Sequence, residues 1–285
     1  MIEKSPAKIN LFLYVLRKRQ DGYHDLYSLM HKIDFFDYIK IKKTDKFSIE
    51  LLTNKKELNN EKNLAYKAAK LFFENAKIKP QVSIEIEKQI PMGSGLGGGS
   101  SNAAYTLKML NEMFDFPLAD DKLHGLAAML GSDVPFFLCK KPAAIAQGRG
   151  EILTPIECDT KNYSVFLAIP NINVSTALIY SKLLLTSGKP INKMPFVVGV
   201  GNCSLEKIKL QLHNDLERAA LAEFEELREI KRVLFGFFGN ALLSGSGASI
   251  FSIINPEVRA GREVEDFLVS KGVVFKTANF SKKGR

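Results

Sequence analysis

Between residues 91 and 101 the chain reads Pro91-Met92-Gly93-Ser94-Gly95-Leu96-Gly97-Gly98-Gly99-Ser100-Ser101. Five glycines in that stretch rule out one continuous helix or strand, because glycine loses the most backbone entropy on being ordered. Just before it, Val82, Ile84 and Ile86 alternate with polar residues, as in a strand that runs to Ile90. Just after it, Ala103, Leu107, Leu110 and Phe114 recur at helical spacing. A strand, a glycine loop and a helix in that order make an anion cradle. Glycines let backbone N–H groups converge without interference from a β-carbon, and the helix N-terminus adds unpaired N–H groups and partial positive charge. A phosphate is the natural occupant. Ser100 and Ser101 are placed to cap the helix or to touch a phosphate or its metal.

Other phosphate loops fit less well. The Walker pattern needs a lysine where this chain has Gly99. Gly93, Gly95 and Gly98 satisfy the dinucleotide spacing G-x-G-x-x-G, but the preceding strand alternates and ends in Lys88-Gln89. The first strand of a dinucleotide fold is buried on both faces.

The rest of the chain reads as an α+β protein. Ile9, Leu11 and Leu13 alternate with Asn10, Phe12 and Tyr14, Ile39 and Ile41 with Lys40 and Lys42, and Phe47, Ile49 and Leu51 with Ser48 and Glu50. Such alternation predicts antiparallel strands with one wet face. Asn63 is placed as an N-cap for a helix carrying Leu64, Ala68, Leu71 and Phe72. A further helix starts near Asp120 or Asp121 and stops at Gly131, with that glycine as its C′ residue. Val165 to Ile169 reads as a buried strand, Gly188 to Gly201 as loop, and Asp215 to Leu234 as one long helix. Leu242-Leu243 and Ile250-Phe251 flank the turn Ser244-Gly245-Ser246-Gly247-Ala248-Ser249. Asn255-Pro256 opens a last helix that Gly272 ends. The predicted division is 1–155 and 156–285.

Composition narrows the partners. The 285 residues are 46% apolar and 25% charged, ordinary for a globular protein. Forty basic against 31 acidic residues give +9, which favours anionic partners. The basic clusters, Arg17-Lys18-Arg19, Lys40 with Lys42-Lys43, Lys55-Lys56 and Lys282-Lys283, are small and scattered, and no nucleic-acid motif accompanies them. A nucleic-acid-binding protein is the rival of a different class; it requires a continuous basic stripe and steep salt dependence. Cys139, Cys158 and Cys203 are widely spaced and read as reduced thiols of a cytoplasmic protein. No apolar run is long enough to span a bilayer and no signal peptide is evident, so neither membrane nor secretion is expected. The four histidines share no ligand spacing and no Cys-x-x-Cys occurs, so structural zinc is not expected.

Residues 91–104, PMGSGLGGGSSNAA, closely resemble the ATP loop of the GHMP kinase superfamily, named for its galacto-, homoserine, mevalonate and phosphomevalonate kinases. The family form usually has Asp where this chain has Asn102. Three further stretches match in order: SPAKINLFLYVLRKRQDGYH at 5–24, GSDVPFF at 131–137 and LLSGSGASIF at 242–251. The resemblance implies a two-lobed α+β fold with the active site in the cleft between lobes. It makes residues 1–155 the N-terminal ATP-binding domain and 156–285 the C-terminal domain. It also implies a small-molecule kinase with ATP as cosubstrate and Mg²⁺ arriving with it, keeping waters and few protein ligands. The stretch with Gly22-Tyr23-His24 looks most like members that act on a small cytidine diphosphate substrate, with homoserine and mevalonate types as alternatives. Neither nucleic acid, membrane nor an obligate protein partner is expected.

From the residues alone, Asp133 is a turn or cap aspartate and Lys8 a solvated strand lysine. The resemblance makes Asp133 the general base or hydroxyl-orienting group and Lys8 the catalytic lysine beside it, keeping the aspartate ionised and stabilising the transferring phosphoryl group. Asn10 becomes a substrate contact on the same strand face as Lys8. Tyr23 and His24 become readers of the cytidine. Asn63 and Thr176 match family positions near nucleotide and substrate, though helix capping accounts for each equally well. Gly245 and Gly247 match a turn that the family packs beside its phosphate loop. Arg149 and Glu151 read as loop and surface. The metal ligands are left open.

Overall fold

The structure, a computed structural model, describes residues 1–183 and 203–282. The loop predicted at 188–201 and Lys283 of the last basic pair fall outside them. Two compact units account for the packing. The first comprises Met1–Ala7, Phe35–Ile90 and Gly97–Cys139; the second comprises Lys8–Asp34, Pro91–Leu96 and Lys140–Arg285. They interleave because two strands, β1 (Ile2–Lys18) and β2 (His24–Lys43), are long enough for each unit to take one end. Packing therefore divides the chain differently from a single cut after residue 155.

In the first unit, the distal part of β2 is followed by β3 (Ile49–Thr53), α1 (Leu64–Ala76) and β4 (Val82–Glu87). Then come α2 (Gly98–Met113), α3 (Asp120–Leu130) and α4 (Val134–Leu138). β4 lies between β2, antiparallel over Tyr38–Lys43, and β3, parallel. The predicted alternation holds in β2 and β4, where Ile39, Ile41, Ile84 and Ile86 are buried and Lys40 and Lys42 reach Glu85 at the surface. β3 departs from it: the strand is parallel to β4, its Ile49 and Leu51 are only half-buried, and Phe47 is exposed outside it. α1 starts where Asn63 accepts a hydrogen bond from the Ala65 N–H at 2.9 Å, so capping is what Asn63 does. Ala65, Ala68, Ala69, Phe72 and Phe73 face inward, and α1 packs against α2, whose Ala103, Leu107 and Leu110 are buried. α3 ends at Gly131, but with φ 163°, extended backbone rather than the left-handed turn expected of a C′ glycine.

The second unit continues with β5 (Ala143–Gly148), β6 (Ile152–Ile156), β7 (Cys158–Asp159) and β8 (Ser164–Ile169). Next are α5 (Thr176–Ser181), β9 (Cys203–Ser204), α6 (Leu205–Lys209) and β10 (His213–Asn214). α7 (Glu217–Glu223), α8 (Glu225–Phe238), β11 (Leu242–Leu243), β12 (Ile250–Ile254), α9 (Arg262–Ser270) and β13 (Val274–Asn279) complete it. β5 pairs with Leu26–His31 of β2, and β10 runs parallel to Phe12 and Leu13 of β1. A four-stranded sheet in the order β11-β12-β8-β13 carries the main core. Phe166, Ala168, Leu243, Ile250 and Ile254 meet Leu227, Ile230 and Leu234 of α8 and Val264 and Leu268 of α9. Fully burying a Leu, Ile, Val or Phe side chain in this way contributes about 1.5–3 kcal/mol.

Four sequence expectations are corrected. The long helix is two, because Phe224 adopts an extended conformation (φ −119°, ψ 107°) and packs against this core. Asn255-Pro256 forms a turn, with the Val258 N–H donating to the Asn255 carbonyl, and α9 begins only at Arg262. β1 has no wet face between Ser5 and Val15; Asn10, Phe12 and Tyr14 are buried with their alternates. Cys139 is free and buried, but Cys158 is disulfide-bonded. Its Cα lies opposite that of Cys203 across the β7–β9 pair, a juxtaposition that sequence spacing does not display. Among the described residues no helix is long and apolar enough to cross a membrane.

Candidate functional site

The glycine stretch is built by alternation of handedness. Gly93, Gly95 and Gly97 have φ of 64°, 75° and 73°, the left-handed region that only glycine enters freely. Pro91–Leu96 belong to the second unit, and their carbonyls are all occupied there except that of Met92. The Ala248 N–H donates to the Gly93 carbonyl (3.2 Å), the Ser249 N–H to Ser94 (3.0 Å), the Ser244 hydroxyl to Gly95 (3.1 Å), the Lys8 N–H to Leu96 (2.9 Å) and the Ser94 hydroxyl to Pro91 (2.7 Å). The turn at 244–249 thus packs against the loop, as the resemblance implied for Gly245 and Gly247. The fit is close: a β-carbon on Gly95 would stand 2.1 Å from the Ser244 carbonyl oxygen.

The first unit takes over at Gly97, which accepts a hydrogen bond from the Ser101 N–H (2.9 Å) and precedes α2. Across both stretches, no described hydrogen bond is donated by the backbone N–H groups of Gly93 to Ser100. Carbonyls are spent on structure and donors are left over, the polarity a phosphate requires. The Ser101 hydroxyl is buried and accepts from Ser5 at 2.7 Å, so it is structural; Ser100 is half-buried at the head of α2.

Beneath α2 lies a buried polar cluster that the sequence reading did not single out. Asp37 is fully buried on β2. Its Oδ1 accepts the N–H groups of Gln89 (2.7 Å) and Ile90 (2.8 Å), and its Oδ2 accepts from the Lys88 ammonium and from Asn102 Nδ2 (2.9 Å). Lys88 also donates to Asn102 Oδ1 (2.9 Å), and Asn102 Nδ2 donates to Ser5 (3.1 Å). Asn102 therefore bridges a carboxylate and an ammonium, and Asp37 supplies the negative charge. The sequence does mark it: in period two Lys88 continues the apolar face of Val82, Ile84 and Ile86, and Asp37 falls between Phe35 and Ile39, each an ion on a buried face.

Lys8 and Asn10 sit on one face of β1 in the second unit, both buried. Lys8 Nζ donates to Asn10 Oδ1 (2.7 Å), Asn10 Nδ2 donates to the Ser28 hydroxyl (2.8 Å), and Ser28 donates to the Phe12 carbonyl (2.7 Å). Lys8 is thus not a solvated strand lysine. A β-carbon on Gly245 would stand 3.4 Å from its Nζ, which places the ammonium under the same glycine turn. Asp133 is in the first unit, half-buried, preceding α4 without capping it.

Tyr23 and His24 close the hairpin between β1 and β2 in the second unit. Tyr23 is 53% exposed, with the Arg149 guanidinium 5.0 Å from its ring centre. His24 stacks on Tyr180 at 4.9 Å. Burial, and then the charge of Lys18, hold His24 below the ordinary histidine pKa, so it is neutral at pH 7. Arg149, read as surface, is instead a flank of this aromatic patch, braced by Glu151. On α5, Ser175 is the N-cap, and Thr176 shares a hydrogen bond with Ser246 (2.8 Å) in the 244–249 turn. Among the described residues no three His, Cys, Asp or Glu side chains gather as a group that could hold a metal ion.

Comparison with known proteins agrees with this geometry. The family model described as GHMP kinases N terminal domain matches residues 63–141. A protein of Thermodesulfovibrio yellowstonii named 4-diphosphocytidyl-2-C-methyl-D-erythritol kinase is 39% identical over 272 residues, 93% of each chain. A crystal structure of a 4-(cytidine 5'-diphospho)-2C-methyl-D-erythritol kinase superposes with a TM-score of 0.76 at 31% identity, covering 99% of this chain and all of that one. A homoserine kinase from Cytophaga hutchinsonii shares the fold at a TM-score of 0.72 and 16% identity, covering 100% of this chain and 95% of its own. With matched residues spread along nearly its whole length, the chain belongs to the GHMP kinases, in the family of the 4-diphosphocytidyl-2-C-methyl-D-erythritol kinases.

Proposed function

We propose that this protein transfers the γ-phosphoryl group of ATP to the 2-hydroxyl of 4-diphosphocytidyl-2-C-methyl-D-erythritol, in the cytoplasm, as a step of non-mevalonate isoprenoid precursor synthesis. The observation that carries the reading is the glycine loop, whose carbonyls are engaged and whose donors from Gly93 to Ser100 are not. Its substrate assignment is supported by the full-length relatives. The loop Pro91–Ser101 holds the phosphates through those N–H groups, and Mg²⁺ accompanies the nucleotide and neutralises phosphate charge. Asp133 orients or deprotonates the attacking hydroxyl. Lys8 offsets the charge that develops on the transferring group, and Asn10, fixed by Lys8 and Ser28, contacts the substrate. Tyr23 offers an exposed face for the cytosine to stack on, and His24, neutral and braced by Tyr180, offers a ring nitrogen to the base. The homoserine and mevalonate readings have support only from the shared fold, at 16% and 19% identity.

The test is a coupled ADP-release assay with the cytidylyl substrate, homoserine and mevalonate. Turnover is expected with the first alone. Asp133→Asn is expected to lower turnover by about 10²–10⁴-fold with ATP affinity retained. Turnover with homoserine or mevalonate and not with the cytidylyl compound would overturn the substrate assignment, and near-normal turnover in Asp133→Asn would remove it from the mechanism.

A further inference from the structure

We propose that Lys88, clamped by Asp37 and Asn102, is a positioning residue that adds positive charge beneath the phosphate-binding turn of α2. This rests on the reading of 91–101 as the ATP loop. The side chains of Lys88 and Asp37 are 6% and 0% exposed, so both charges have been taken out of water. Such a pair rarely stabilises a fold more than well-packed apolar residues of the same volume. Its presence calls for another reason, and its position supplies one. Lys88 Nζ lies 3.2 Å from where a β-carbon of Gly98, the first residue of α2, would stand. Gly98 therefore does more than open the loop; its missing side chain makes room for the Ile90 side chain, 2.8 Å from that point, and for the Lys88 ammonium at the helix N-terminus. Of the ion pair, the ammonium is the member against Gly98. A cation there opposes the helix dipole unless an anion binds in front of it. Burial pushes the Lys88 pKa below the ordinary lysine value, while Asp37 pulls it back towards the charged form.

The same cluster fixes both ends of the loop. Asp37 Oδ1 holds the N–H groups of Gln89 and Ile90, the two residues before Pro91. Asn102 ties Asp37 and Lys88 to the second turn of α2. The arrangement joins mechanical anchoring of the loop to an electrostatic contribution that only a phosphate would feel.

The two contributions separate in one experiment on the full chain. Lys88→Met combined with Asp37→Asn removes both charges while keeping an oxygen to accept from Gln89 and Ile90. Affinities for ATP and for adenosine, which has no phosphates, are measured by calorimetry or as competitive inhibition, beside a thermal melt. The expected result is a cooperative melt, adenosine affinity within about twofold of wild type and ATP affinity about tenfold weaker. Equal losses for both ligands, or no loss for ATP, would overturn the charge role. Lys88→Arg keeps the charge and serves if the double variant does not fold. Its ratio of ATP to adenosine affinity should stay near that of wild type, and a tenfold fall in that ratio would also overturn the proposal. Failure of the wild-type protein to bind ATP would reject instead the loop reading on which this one rests.

Discussion

The two units treat buried polarity differently. In the first, Asp37, Lys88 and Asn102 form a charged cluster in which every carboxylate oxygen has two donors. In the second, the loop residues Pro91–Leu96 are held by backbone and hydroxyl bonds to the 244–249 turn, and alongside the buried lysines Lys8 and Lys32 the most deeply buried titratable group is a neutral histidine. That residue, His31, is fully buried beside Phe280; its Nδ1 meets the Lys32 carbonyl at 2.7 Å and its Nε2 has no partner among the described residues. Asp37 is buried as an ion where four donors surround it, and His31, with one ring nitrogen unpartnered among the described residues, stays uncharged. Hydrogen bonds between neutral groups anchor the second-unit stretch, so the charge of the first unit's cluster contributes something beyond the anchoring that Asp37 and Asn102 also give.

The largest effect expected from disturbing this contrast comes from Lys88→Met alone. It strands Asp37 as a buried, uncompensated carboxylate, and a loss of about 3–5 kcal/mol is expected in denaturant melts. A loss under about 1 kcal/mol would mean that the cluster relaxes to water. The second-unit clamp is probed by Gly95→Ala. Its φ of 75° and the 2.1 Å approach to Ser244 leave no place for a methyl group, so about 3 kcal/mol is expected, with no dependence on charge or salt.

His31 gives the next effect, through pH. Burial lowers its pKa to about 4, so the folded state refuses a proton that the unfolded chain takes up near pH 6.5. The stabilisation is complete above the unfolded pKa and is lost as pH falls towards 4. Between pH 7 and pH 5 the loss is about 2 kcal/mol. In His31→Asn, whose amide can still donate to the Lys32 carbonyl, the slope of stability against pH over this range should flatten; an unchanged slope would shift the cause to other groups. The smallest effect separates two kinds of glycine. Gly99 is exposed, lies within α2, and its β-carbon would meet only Leu64 Cδ1 at 3.8 Å. Gly99→Ala should therefore gain up to about 1 kcal/mol of stability. If the phosphates approach that backbone, it should weaken ATP at the same time. A gain in stability with ATP binding untouched would move the phosphates away from this turn.

What the sequence determined by itself was local. Glycine density bounded by a period of two and then a period of 3.6 placed the phosphate loop between β4 and α2, and Asn63 announced the start of α1. Those features are decided within a few residues, where backbone freedom and side-chain periodicity are sufficient causes. Matched motifs carried the family, because PMGSGLGGGSSNAA and its companions are long enough to be specific. Tertiary structure alone decided the rest. Period two puts Asp37 on the apolar face of Phe35, Ile39 and Ile41 of β2, which marks it as a buried carboxylate; only the arrival of Lys88, Gln89, Ile90 and Asn102 from elsewhere in the chain makes it a site. Phe224 breaks a helix whose pattern is unbroken: its backbone is extended and its ring lies partly buried against the second unit's core. Cys158 and Cys203 became neighbours through a parallel strand pair. In each case the deciding energy comes from desolvation or packing between residues far apart in sequence, and that energy does not exist until the chain has folded.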